Sequence, residues 1–138
     1  MTGSLAAKRT EIGHGEALQV ADGSDFVGEM LALIDTASPM AAVEACYQRV
    51  RRVLAVMIEA VEPGAATGLN VAERARAAQA RGLINTTNLN AIEGLGVMHT
   101  LAVLDANGAR LDAAKAREYV ALTEGALYSL RFQPPSGS

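Results

Sequence analysis

The sequence predicts an all-α domain, a bundle of four to five helices, and three observations lead there. Alanine, leucine and valine dominate an apolar content of 50%, while aromatic residues make up 4%. Alanine combines the highest helix propensity with a small side chain, so this composition favours closely spaced helices over sheet. Apolar residues recur in steps of three and four, the period of one helix face. Helix-boundary chemistry falls between those stretches, at Ser38-Pro39, at Asn70 with Glu73, at Gly82 and at Asp112.

The 138 residues suffice for one core, because a domain of this length buries about two-thirds of its unfolded surface. A charged content of 20% lies in the globular range. The net charge of −3 argues against a protein that coats itself along a phosphate backbone. Cys46 has no second cysteine to pair with, which suits a reducing compartment and a cytoplasmic location. No run reaches about 18 apolar residues and no basic region precedes an apolar stretch at the start, so neither a membrane span nor secretion is expected.

Residues 1–23 mix glycine, charge and single apolar residues without a period and read as a flexible arm, with residues 17–20 able to pair briefly as a strand. The bundle domain is expected over residues 24–131. Ser24 is a good N-cap, with Asp25 in the favourable first turn, for a short helix to about residue 35 that buries Phe26, Val27, Met30, Leu31 and Ile34. Ser38 caps the next helix and Pro39 sits at its first position, where a missing N–H loses nothing. This helix runs to about Val61, with Val43, Tyr47, Val50, Leu54, Met57 and Val61 on one side and Val53, Val56 and Ile58 widening it. Glu62-Pro63-Gly64 stops it.

Asn70 and Glu73 form a capping-box pair for a shorter helix ending near Arg81, with Gly82 as its C′ residue. Leu83 and Ile84 then reach the core. After Asn85-Thr86-Thr87 a helix continues to about Leu104 and is apolar nearly all round from Leu95 onward, which marks it as the central one. Asp105-Ala106-Asn107-Gly108 supplies turn chemistry. Asp112 caps the last helix, which buries Ala116, Tyr119, Val120, Thr123, Leu127 and Leu130. Residues 132–138, rich in proline and small polar residues, read as a disordered tail.

The segment Ala37-Ser38-Pro39-Met40-Ala41-Ala42-Val43-Glu44-Ala45, the helix end Ala80-Arg81-Gly82-Leu83-Ile84, the run Ala91-Ile92-Glu93-Gly94-Leu95 and the later Ala116-Arg117-Glu118-Tyr119 together resemble the HEPN-like helical domains. They are similar in particular to a bacterial branch often found attached to membrane or defence proteins. The resemblance covers residues 24–131. It implies a four- or five-helix bundle, a homodimer and, in many members, a metal-independent ribonuclease. The family motif is an arginine, a polar residue and, about a turn later, a histidine, and two copies of it meet across the dimer. A guanidinium can grip the scissile phosphate bidentately while an imidazole moves the 2′-hydroxyl proton.

Aligned on that motif, His99 takes the arginine position, Thr100 the polar one, and Val103 or Leu104 the histidine position. No lysine or arginine occurs between Arg81 and Arg110. The resemblance therefore implies a member that has lost the ribonuclease motif and serves as a non-enzymatic interaction or regulatory module, a homodimer with a possible further protein partner. The alternative is RNA cleavage or nucleotide binding through His99 and Thr100 with an arginine from another helix, Arg49 or Arg52.

His99 is the residue of this helix that can titrate near neutrality, with Glu93 a partner only if the bundle brings it back. The plain reading is a hydrogen-bonded core or interface histidine, because a single imidazole without a carboxylate or second base is a weak catalytic signal. Gly94 and Gly96 each cost about 0.5–1 kcal/mol inside a helix, which suggests close approach of another helix, with Met98 and Leu101 as contacts on the same surface, or else tight packing within the monomer. Arg49, Arg51 and Arg52, and likewise Arg74, Arg76 and Arg81, are candidate RNA-binding groups, against the plainer reading of a solvated face laced with ion pairs. Cys46 reads as a small buried hydrophobe. His14 lacks a second ligand at metal spacing, and no metal or other cofactor is expected. A third possibility is a small-molecule binder with an apolar pocket between helices.

Overall fold

Five helices make up residues 25–104 and 111–132, the part of the chain that the computed structural model describes. They are α1 (Phe26–Thr36), α2 (Pro39–Val61), α3 (Val71–Ala80), α4 (Thr86–Leu104) and α5 (Ala113–Phe132). The all-α expectation holds for the described residues, which contain no strand. The arm, the brief strand within it, His14, the turn at 105–108 and the tail from 133 onward lie outside them, as does Ser24, whose expected place as the cap of α1 is taken by Asp25. The last helix includes Phe132, one residue beyond the expected end of the bundle.

Local chemistry sets the boundaries. Asp25 is the N-cap of α1 but makes no side-chain capping bond. At the break before α2, the Ala37 and Ser38 N–H groups both donate to the Leu33 carbonyl, and the Ser38 hydroxyl accepts the Ala41 N–H at 3.0 Å with Pro39 next to it. Beyond Glu62 the chain is held by a carboxylate, since Glu59 accepts the N–H groups of Gly64 at 2.6 Å and Ala66 at 3.0 Å. These bonds hold the Glu59 carboxyl below its usual range. The capping box at the head of α3 is complete in both directions, at 2.8 and 2.9 Å. Gly82, at φ +73°, lets the Gly82 and Leu83 N–H groups close on the carbonyls of Gln79 and Ala78, a Schellman turn. The Asn85 side chain accepts the Asn88 N–H at 2.8 Å, so α4 starts at Thr86, inside the stretch read as its preceding loop. Asp112 accepts the Lys115 N–H at 2.9 Å as expected.

The central helix is α2, not α4. It packs against all four others, and its buried line runs through Ala42, Val43, Cys46, Val50, Val53, Leu54 and Ile58. That line is rotated from the expected one, with Tyr47 and Met57 only partly buried and Val61, beyond the last buried turn, 56% exposed. Small Ala42 and Cys46, both fully buried, let neighbouring helices approach closely. The expected stripe of α5 is buried in full, with Ala126 added.

Helix α4 lies at the periphery. Its inner stripe is Asn88, Ile92, Leu95, His99 and Ala102, at least partly covered, whereas Asn90, Gly94, Val97, Leu101 and Leu104 are exposed. Val97, Leu101 and Leu104 are 60, 59 and 77% exposed. An apolar face usually implies burial. Here the second face is left open by the other four helices.

Candidate functional site

His99 is placed by the inner face of α4 against the first half of α2. Its Nε2 lies 2.7 Å from a Glu44 carboxylate oxygen, and its ring stacks on Tyr47 with centroids 3.7 Å apart and planes 9° from parallel. The other Glu44 oxygen accepts the Gln48 amide N–H at 2.8 Å. The His99 bond, then the Gln48 bond, hold the Glu44 carboxyl below its usual range. An ionised carboxylate can only accept, so His99 donates from Nε2. Two helices 55 residues apart in sequence are thereby tied by a charge-assisted bond and a ring stack.

Sequence reasoning missed Glu44 as the partner of His99. Nothing in the spacing of α2 points to residue 99. Glu93, the partner considered on α4 itself, instead faces α3 and pairs with Arg76 at 3.3 Å.

The remaining candidates do not converge on His99. The Thr100 hydroxyl donates back to the Gly96 carbonyl at 3.1 Å on the exposed side of the helix. Arg49 turns to α1, where it lies over the Phe26 ring at 5.0 Å and 3.6 Å from the Glu29 carboxylate. Arg51 contributes a backbone carbonyl to Arg74 at 3.0 Å, and Arg52 is exposed. Arg74 is buried, and desolvation lowers its pKa, with the Arg51 charge adding to the effect. Arg81 pairs with Glu62 at 2.8 Å. The two arginine groups meet at Arg51 and Arg74, where Arg74 is buried rather than solvated, and otherwise make separate local contacts.

The proposed interface residues separate into two positions. Gly94 and Leu101 stand on the open face with Val97 and Leu104, neither of which was expected at the interface, although steps of four, three, four and three from Asn90 lead to both. Gly96 is half-covered, and Met98 packs against the core. A Cβ added at Gly94 or Gly96 would meet no atom within 4 Å. Tight packing among the described residues is therefore not why glycine stands there.

Between α2, α4 and the start of α5 lies a groove of about 470 Å³, walled by Val43, Met98, Leu101, Ala102, Leu111 and Tyr119 among others. Lys115 is the charged residue on its lining. The Tyr119 hydroxyl donates to the Leu95 carbonyl at 3.1 Å, and burial pushes its pKa up. Cys46 is fully buried and its thiol is pushed up to about 12 by desolvation, which fits a packing residue rather than a nucleophile.

Among the described residues, no cluster of three histidine, cysteine or acidic side chains could hold a metal ion, and no helix is long and apolar enough to cross a membrane. Compared with protein families, curated proteins and solved structures, the chain matches none.

Proposed function

We propose that this protein is a non-enzymatic interaction module that works as a homodimer through the outer face of α4, a HEPN-like bundle in which the ribonuclease motif has been lost. The observation that carries the reading is the exposed stripe Asn90, Gly94, Val97, Leu101 and Leu104, in heptad-like steps and opposite the face that packs on the bundle. Residues 94–104 contain no aspartate, glutamate, lysine or arginine, an unusual composition for a solvated helix face. A neutral apolar stripe carries no charge pattern to select a different partner. It is self-complementary in an antiparallel pair, where Gly94 meets Leu104 and Val97 meets Leu101, small against large at the outer layers. Such isologous twofold contacts are the commonest among homo-oligomers.

Covering Val97, Leu101 and Leu104 on both copies gains about 1–2 kcal/mol for each of the six side chains at its present exposure. A dimer at tens of micromolar needs about 6–7 kcal/mol net, which this gain supplies when association costs near the lower end of its ~4–15 kcal/mol range. Sedimentation at tens of micromolar tests this, with wild type expected as a dimer and Val97→Glu as a folded monomer. A wild type that stays monomeric at 100 µM would overturn it.

A further inference from the structure

The groove beside Lys115 borders the outer stripe and shares Leu101 and Leu104 with it. Met98 and Ala102 also line it from α4, Val43 lines it from α2, and Leu111 and Tyr119 line it from the start of α5 and the residues just before it. Because the Tyr119 hydroxyl is already bonded to a backbone carbonyl, the residue offers the groove an apolar ring. A volume of about 470 Å³ lies within the range of small-molecule sites, about 300–1,000 Å³. The lining is apolar apart from one cation. Lys115 is exposed, and among the described residues its ammonium makes no ion pair. The neighbouring Asp112 carboxylate accepts the Lys115 backbone N–H through one oxygen.

An apolar trough with a single positive charge on its lining matches a molecule that carries a hydrocarbon tail and one negative charge at its end. We propose that this groove binds a single-chain anionic amphiphile, a carboxylate of the fatty-acid type, with its tail between Met98, Ala102 and Leu111 and its carboxylate at the Lys115 ammonium. An exposed ion pair contributes little by itself; the tail supplies most of the affinity and the lysine supplies the choice of head group. A neutral or cationic head would leave the ammonium without a partner or oppose it.

Isothermal titration of the full chain with dodecanoate and with dodecyltrimethylammonium, both below their micellar concentrations, tests the assignment. Dodecanoate is expected to bind with one molecule per chain and at least fivefold more tightly than the cationic homologue. Lys115→Glu should abolish that preference, whereas Arg117→Glu, an equal charge change on an exposed residue of the same helix, should preserve it. Ala102→Phe, which fills the trough, should weaken both ligands at least tenfold while circular dichroism confirms a helical fold. Equal affinity for the two head groups, a preference that survives Lys115→Glu, or undiminished binding to a folded Ala102→Phe variant would each overturn the proposal. Sedimentation of the ligand-free variants reads the α4 dimer separately: Lys115 and Ala102 lie off its stripe, whereas Leu101 and Leu104 belong to both surfaces.

Discussion

The Glu44 carboxylate accepts from His99 and Gln48 at once, and both bonds favour its charged form. A carboxyl held below its ordinary value of about 4.3 contributes stability that is fully present above that value and is lost as pH falls through the lower folded-state value. Glu44→Gln keeps the shape and removes the charge. The expected loss at pH 7 is about 0.5–1 kcal/mol, reduced from the usual charge-assisted bond because the side chain is half-exposed. Urea midpoints should show the gap between wild type and variant closing below about pH 4. A gap that is constant down to pH 3 would show that the ion contributes nothing. Sequence reasoning found His99 and the kind of bond it needs, but not its partner, because the contact depends on how α2 and α4 cross.

At the scale of elements, the boundaries of the helices were the most legible part of the chain. Ser38-Pro39, Asn70 with Glu73, Gly82 and Asp112 act within three or four residues of themselves, so their pattern is complete in one dimension. Two substitutions quantify this. Asn70→Ala should remove about 1 kcal/mol by breaking the capping box, and Gly82→Ala a similar ~1 kcal/mol by forcing a Cβ into the left-handed region. Each should lower the thermal midpoint by a few degrees, and no change on Gly82→Ala would refute the Schellman assignment. The rank of α4 among the helices was not legible. An all-round apolar helix has two faces that hydropathy cannot tell apart, and only the placement of the other four decides which one is left outside.

For the whole molecule, the expectation of a helical bundle survived because composition and period act on every element in the same direction. Which helix forms the axis did not, because it turns on long-range packing. Helix α2 takes that place through small residues, Ala42 and Cys46, whose value lies in how near they let neighbours come. Cys46 has a further consequence. It sits at the axis, fully buried, with its thiol raised to about 12 and in hydrogen-bonding contact with Thr123 of α5, so no reagent reaches its sulfur unless α2 and α5 part. The protein therefore carries its own clock for opening: the rate at which a disulfide reagent labels it in water should be orders of magnitude below that in denaturant and should rise with urea in parallel with loss of helix. Prompt labelling of the native protein would mean that the axis breathes without the bundle coming apart.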